Sequence, residues 1–191
     1  MTMAETPTSR MTLPTHQLHG RVVTAAERRL AVEHWLLMAT DDWQRARQEW
    51  RRDGVALLRC GGLFSAIRIS APVVHAAAGT DDPTAVDHYL AQVLLGGPVF
   101  TDRSNLRYYV LVGNSTGLRR EWTLRRDDAE FMGRGHYVGV PAVDATSREV
   151  AGSYWCVEMA SAGELAAPDV ASQLVRIGRF RLARGEGACN G

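Results

Sequence analysis

Five short segments between residues 98 and 159 constrain the fold more than any other feature of this sequence. They are rich in aromatic and β-branched residues, and Gly, Pro, Asn or Asp bounds each of them. The segments are residues 98–101, 107–112, 119–124, 136–140 and 153–159. Strands so short and so close in sequence pair mostly with their neighbours. The second half of the chain therefore predicts a mixed or antiparallel sheet.

Two further apolar runs, residues 55–58 and 63–69, lie earlier in the chain and are separated by Cys60, Gly61 and Gly62. A pair of glycines between two apolar runs is typical of a hairpin or of a tight strand connection. We expect the sheet to begin here.

Helix signals lie before, within and after the strand segments. Thr24 and Glu27 have the spacing of a capping box, and Pro72 and Pro83 stand where a first helical turn accepts proline. The predicted helices begin near residues 24, 42, 71, 83 and 168, and the last runs toward residue 184 with Gly178 as a candidate interruption. Helices around a run of sequential strands indicate an α+β domain with helices mainly on one sheet face.

The domain organisation follows from composition along the 191 residues. Residues 1–23 are rich in Thr, Pro, Ser and His and show no apolar period, so we expect a disordered leader. Residues 24–184 form one α+β domain in this interpretation, and residues 185–191 form a frayed tail.

The charged residues narrow the functional classes. All 22 basic residues are Arg, and 21 acidic residues bring the formal net charge to +1. Without Lys the chain has no lysine Schiff base, phosphate-loop lysine or lysine general base. This usage is typical of a GC-rich bacterial genome. Because the net charge is small, a nucleic-acid partner must be sought in a local patch.

The cysteines and the apolar runs exclude further classes. Cys60, Cys156 and Cys189 are widely spaced and include no Cys-x-x-Cys pair, so neither a disulfide framework nor a cysteine zinc site is expected. No run approaches the roughly 20 apolar residues of a membrane span, and the N-terminus lacks the apolar core of a signal peptide. We expect a cytoplasmic protein without a membrane partner.

A search for catalytic patterns finds no phosphate-loop, dinucleotide-binding, zinc-protease or serine-hydrolase motif. The six His residues are scattered, and the adjacent acids Asp41-Asp42, Asp81-Asp82 and Asp127-Asp128 point to opposite faces of a strand or favour a helix start. We predict no catalytic residue, no metal site and no cofactor.

The most unusual segment is residues 133–141, Gly-Arg-Gly-His-Tyr-Val-Gly-Val-Pro, followed by Gly-Ser-Tyr-Trp at residues 152–155. Glycines beside Arg134 let a backbone approach a ligand closely, and an arginine fork suits a phosphate or a carboxylate. The alternative is a glycine turn that feeds an edge strand, with Arg134 in solvent.

These two motifs, in this order, resemble the primase-polymerase (prim-pol) domains of the archaeo-eukaryotic primase superfamily, which occur in actinobacterial plasmids, phages and chromosomes. Residues 107–112, Arg-Tyr-Tyr-Val-Leu-Val, are similar to the strand that carries the histidine of that family, and residues 63–70 are similar to its acidic strand. The resemblance covers about residues 53–159. It implies a prim-pol-like α+β fold and a role in DNA replication.

The family holds its divalent metal with two acids placed one residue apart on a strand. This chain has Ile67-Arg68-Ile69 there, and Arg107 replaces the histidine, with Arg103 or Asn105 as alternatives if the register differs. The resemblance therefore implies a domain without catalytic activity. It would bind nucleic acid or a nucleotide phosphate through Arg68, Arg107 and Arg134, with His136 in support.

Strand alternation sets Arg68 opposite in direction to Ile67 and Ile69, on an open sheet face if the isoleucines contact the helices. We expect Arg68→Glu to weaken binding without lowering thermal stability. The alternative function is a protein-interaction or structural module whose partner contacts the helix of Trp43 and Trp50. On that helix, core aromatics beneath a solvated charged face are the competing interpretation.

Overall fold

The computed structural model describes residues 23–122, 127–148 and 152–188, which form an α+β fold of five α-helices, seven strands and two short 3-10 helices. The α-helices are α1 (Ala25–Leu37), α2 (Trp43–Asp53), α3 (Ala71–Ala78), α4 (Pro83–Val93) and α5 (Pro168–Ala188). The strands are β1 (Val55–Arg59), β2 (Ser65–Ser70), β3 (Val99–Asp102), β4 (Arg107–Val112), β5 (Ala129–Met132), β6 (Tyr137–Pro141) and β7 (Ser153–Val157).

The helix starts follow local chemistry. Thr24 and Glu27 form the predicted capping box, and the carboxylates of Asp42 and Asp82 accept backbone N–H groups in the first turns of α2 and α4. Each of these bonds satisfies a donor that the first helical turn leaves without a partner. All five α-helices of the described residues therefore begin within a residue or two of the predicted positions, because capping depends on neighbouring residues alone.

Five strands form one antiparallel sheet in the order β5-β2-β4-β3-β7, and β1 pairs with β6 in a separate two-stranded sheet. Strands β2 and β3 run in the same direction, are joined through α3 and α4, and are separated in the sheet by β4. This is a split β-α-β arrangement. It places β2 and β4 at the centre of the large sheet.

Helices α3, α4 and α5 cover one face of the large sheet. The apolar side chains of this core come from both layers: Ile67, Ile69, Val99, Val110 and Val112 from the strands, and Val73, Val74, Val86, Leu90, Leu174 and Val175 from the helices. All of them are almost fully buried. Their burial is the main stabilising term on this side of the molecule.

The other face of the large sheet is also largely covered. A second layer, formed by α1, α2 and the β1-β6 sheet, packs against it through Leu36, Trp50, Leu58 and Val140. Phe64, Phe100 and Leu111 complete this second core, and each of them is 0% exposed. The face expected to be open is therefore open only where the second layer ends.

Of the two connections predicted between β1 and β2, the hairpin is wrong, because the two strands lie in different sheets. They are joined by the short connection of residues 60–64. The glycines lie where the chain crosses from one sheet to the other, and they do not form a hairpin turn. Gly61 has a φ of 84°, and a Cβ there would lie 2.5 Å from the Cα atom of Arg134. Only glycine lets the two backbones approach so closely while the chain passes from one layer to the other.

The strand predicted over residues 119–124 is also wrong for the residues that the structure describes. Residues 120–122 form a 3-10 helix, and residues 123–126 lie outside the described part of the chain. Arg119 pairs with Asp169 at 2.6 Å, and Glu121 accepts a hydrogen bond from Ser172, so this segment is tied to α5. The edge position of the sheet belongs to β5, which the sequence pattern did not predict.

Helix α5 is continuous through Gly178 and extends to Ala188, beyond the expected end near residue 184. A Cβ at Gly178 would overlap the carbonyl oxygen of Val73 and lie 2.7 Å from its Cγ1. Gly178 therefore marks the contact of α5 with α3 and does not interrupt the helix. The predicted leader lies outside the described residues except for Val23, as do residues 189–191 of the predicted tail.

We expect Gly178→Ala to lower the free energy of unfolding by about 1–3 kcal/mol, because the added methyl group forces α5 away from α3. The matched control is Gly185→Ala in the same helix, where a Cβ would meet nothing within 4 Å. There alanine should be neutral or stabilise by up to about 1 kcal/mol through its helix propensity. Urea denaturation of both variants measures the difference, and equal effects would contradict this account.

Candidate functional site

One line of side chains crosses the large sheet on the face that the second layer covers. The strand registers set Trp155, Phe100, Tyr109, Arg68 and Glu130 side by side on β7, β3, β4, β2 and β5. We call these five residues the cross-strand row. Directly opposite residues of antiparallel strands project to the same face, so the row is a continuous surface feature.

The cross-strand row lies where the second layer ends. On one side of it, Ala66 and Leu111 are completely buried beneath that layer. On the other side, Asp102, Arg107 and Ser70 are only partly buried. The sheet face thus changes from apolar and covered to polar and open within four residues of β4.

The aromatic half of the row is a packed stack. The rings of Phe100 and Tyr109 are 5.0 Å apart and nearly parallel at 13°, and Trp155 meets Phe100 edge-on at 5.3 Å. Burial raises the pKa of the Tyr109 phenol, and the charges of Arg68 and Arg107 oppose that shift. Tyr109 is therefore a neutral phenol near pH 7, within electrostatic reach of both guanidinium groups.

The polar half of the row is an ion pair. Arg68 contacts Glu130 at 2.5 Å, and its side chain is 35% exposed while that of Glu130 is 6% exposed. The Nε2 atom of His136 lies 4.0 Å from the other carboxylate oxygen of Glu130. Arg68 projects to the predicted face, opposite to Ile67 and Ile69, and the carboxylate of Glu130 lies beside its guanidinium.

Arg107 shares the face of Arg68, because the register of β2 with β4 sets Tyr109 opposite Arg68 and Arg107 opposite Ser70. It pairs in register with Ser70 and Asp102, one step along β4 from the cross-strand row. Its guanidinium donates to the carbonyl oxygen of Leu106 at 3.3 Å, and it forms no ion pair with the residues that the structure describes. The nearest acid in register, Asp102, accepts two hydrogen bonds from Asn105 at 3.1 and 2.7 Å.

Arg134 does not join the other two arginines. Met132 pairs with Ala66 at the beginning of β2, whereas Arg107 pairs with Ser70 at its end. Arg134 lies in the turn beyond Met132, exposed, with its backbone against Gly61. The structure therefore brings together Arg68, Arg107 and, through Glu130, His136, and it leaves Arg134 at the opposite end of the strand.

The two tryptophans of α2 have different surroundings. Trp50 is 9% exposed and its indole N–H donates to the carbonyl oxygen of Val140 at 2.9 Å. Trp43 is 50% exposed, with the guanidinium carbon of Arg47 at 5.2 Å from its ring centre. Only Trp43 is thus available at the surface, because Trp50 anchors α2 to the second layer.

Sequence reasoning missed the central roles of Tyr109 and Glu130. Tyr109 lies on a predicted strand, but its stacking partner Phe100 depends on the register between β3 and β4. Glu130 belongs to a strand that the pattern did not predict, although Ala129 and Phe131 alternate with polar neighbours. That weak alternation over four residues is the one sequence signal for this strand.

No protein-family model, curated protein or solved structure matches this chain. In the parts of the chain that the structure describes, no helix has both the length and the apolar character needed to cross a membrane. Across the same residues, no three His, Cys, Asp or Glu side chains lie close enough to hold a metal ion together.

Contrary to the expectation from sequence, Arg68→Glu should lower the free energy of unfolding by about 2 kcal/mol or more, since it sets a second carboxylate beside the buried Glu130. The charge-swapped double variant, Arg68→Glu with Glu130→Arg, should regain part of that loss. Urea denaturation of both proteins measures this. Wild-type stability in the single variant would show that the pair does not contribute.

Proposed function

We propose that this chain is a non-catalytic domain that binds single-stranded nucleic acid or a nucleotide phosphate at the open side of the cross-strand row. The supporting observation is the arrangement of Arg68, Tyr109 and Arg107 on one sheet face, beside a stacked aromatic pair. Guanidinium groups bind phosphate oxygens through paired N–H groups. Phe100 is fully buried and Tyr109 is partly exposed, so Tyr109 is the ring of the pair that a base would meet at this face.

Arg107 supplies the main phosphate contact in this proposal. It is partly exposed and has no carboxylate partner among the described residues, so its N–H groups are available to a ligand. Arg68 is already bound by Glu130, and a phosphate would have to compete with that carboxylate. The Tyr109 hydroxyl, near both arginines, adds an uncharged donor.

Absence of catalysis is part of the proposal. Nucleotidyl transfer in the family that this chain resembles needs two carboxylates at a metal ion. The β2 residues on this face are Ala66, Arg68 and Ser70, and none of them carries a carboxylate. Of the nearby acids, Glu130 is paired with Arg68, and Asp102 is hydrogen-bonded to Asn105.

We expect Arg107→Gln to weaken binding of a single-stranded oligonucleotide at low salt by about tenfold and to reduce the salt dependence by about one phosphate contact. Fluorescence anisotropy over a series of salt concentrations gives both quantities. The control is Arg52→Gln on α2, because Arg52 is exposed and its ion pair among the described residues is with the adjacent Asp53. It removes the same charge at a distance from the row.

Equal losses of affinity in the two variants would show that the effect comes from net charge alone. No binding by the wild-type chain at any salt concentration would refute the proposal.

A second candidate, protein binding, is favoured by the exposure of Trp43 (50%) and Met38 (70%) at the junction of α1 and α2. Aromatic anchors of that kind bind with little salt dependence. The same salt series therefore separates the two functions.

A further inference from the structure

A second polar site lies on the opposite face of the large sheet, among the helices. Tyr154, Thr101 and Tyr108 stand side by side on β7, β3 and β4, each one residue along the chain from a member of the cross-strand row. They line a cavity of about 210 Å³ whose other walls include His75, Asp81 and Arg103. We call this cavity the tyrosine pocket.

The floor of the tyrosine pocket is held by hydrogen bonds. The hydroxyl of Tyr108 lies 3.1 Å from Nε2 of His75, and the hydroxyl of Tyr154 donates to the carboxylate of Asp87 at 3.2 Å. Asp87 is 5% exposed and also accepts from Nε of Arg148 at 2.5 Å. The buried acid therefore has its own cation, and the two phenols are fixed in place before any ligand enters.

The rim of the tyrosine pocket carries one charge of each sign. Burial lowers the pKa of His75, and the negative charge of Asp81 partly opposes that shift. Burial raises the pKa of Tyr108, and the positive charge of Arg103 opposes that shift. Arg103 also donates a hydrogen bond to the backbone oxygen of Arg148 at 2.7 Å. Among the described residues neither Asp81 nor Arg103 forms an ion pair, so both charges remain available at the mouth.

These charges select the ligand. Because Asp87 and Arg148 neutralise each other, a ligand meets one carboxylate on the His75 side and one guanidinium on the Tyr108 side. A molecule with a single charge is attracted by one group and repelled by the other, whereas a zwitterion satisfies both. The cavity is smaller than the roughly 300–1,000 Å³ of drug-sized ligand sites, which limits the ligand to amino-acid size.

The geometry points to a binding site for a free α-amino acid in the tyrosine pocket. The carboxylate of the ligand is bound by Arg103 and the hydroxyl of Tyr108, and its ammonium group is bound by Asp81. Arginine suits the first role because its N–H groups match a carboxylate in pairs. The hydroxyls of Thr101 and Tyr154 already donate to the carbonyl oxygen of Arg107 and to Asp87, so toward the ligand's side chain they act as hydrogen-bond acceptors. This site is independent of the nucleic-acid site proposed above, which lies on the other face.

The test is isothermal titration calorimetry of the full chain with each proteinogenic amino acid, paired with the acid that lacks the amino group and the amine that lacks the carboxylate. We expect saturable binding of at least one amino acid, and at least tenfold weaker binding of both its halves. Arg103→Gln and Asp81→Asn should each weaken binding of that amino acid about tenfold. Tyr108→Phe, which keeps the ring, should weaken it less.

Two control variants keep this test separate from the previous proposal. Arg59→Gln removes an exposed charge from the second layer and should leave amino-acid binding unchanged. Arg107→Gln should also leave it unchanged, while Arg103→Gln should leave oligonucleotide binding unchanged. Absence of binding by every amino acid at millimolar concentration would overturn the proposal. Equal binding of the deaminated acid, or wild-type binding by both pocket variants, would also overturn it.

Discussion

The structure depends on the burial of β2 from both sides. Ile67 and Ile69 face the helices, and Ala66 faces the second layer, so this strand has no solvent-exposed face along most of its length. A charged residue can lie on such a strand only where one layer ends, and only with an opposite charge beside it. Arg68 meets both conditions, because it lies at the edge of the second layer and contacts Glu130.

The same sheet presents two different polar surfaces because alternate residues of each strand project to opposite faces. Phe100 and Tyr109 belong to the cross-strand row, whereas their neighbours Thr101 and Tyr108 line the tyrosine pocket. Both surfaces lie toward the same ends of β3 and β4, where the packed layers on either side give way to solvent. Their chemistry differs, since one is dominated by arginine and the other by phenols and a balanced pair of charges.

Much of the fold could be predicted from sequence, namely the features that depend on neighbouring residues. Caps and first-turn prolines located the starts of the helices, and alternation set Arg68 opposite in direction to Ile67 and Ile69. The register that puts Arg107 on the face of Arg68 came only from the structure. The pairing of β1 with β6 could not be predicted, because it joins Val55 to Pro141 across most of the domain. The contacts of Gly61 with Arg134 and of Gly178 with Val73 could not be predicted for a related reason, since each joins distant segments of the chain.

The candidate site was only partly predictable, because the role of an arginine depends on which carboxylate reaches it. Within the described part of the chain, four arginines pair with acids at least 50 residues away in sequence: Arg68 with Glu130, Arg119 with Asp169, Arg148 with Asp87, and Arg179 with Asp128. The guanidinium fork suits this use, since it can hold a carboxylate through two bonds at once. In a chain without lysine, arginine both joins segments and presents charge to ligands. Only the tertiary contacts separate the two roles. Arg68 is paired with Glu130, whereas Arg107 forms no ion pair among the described residues, as the phosphate contact proposed above requires.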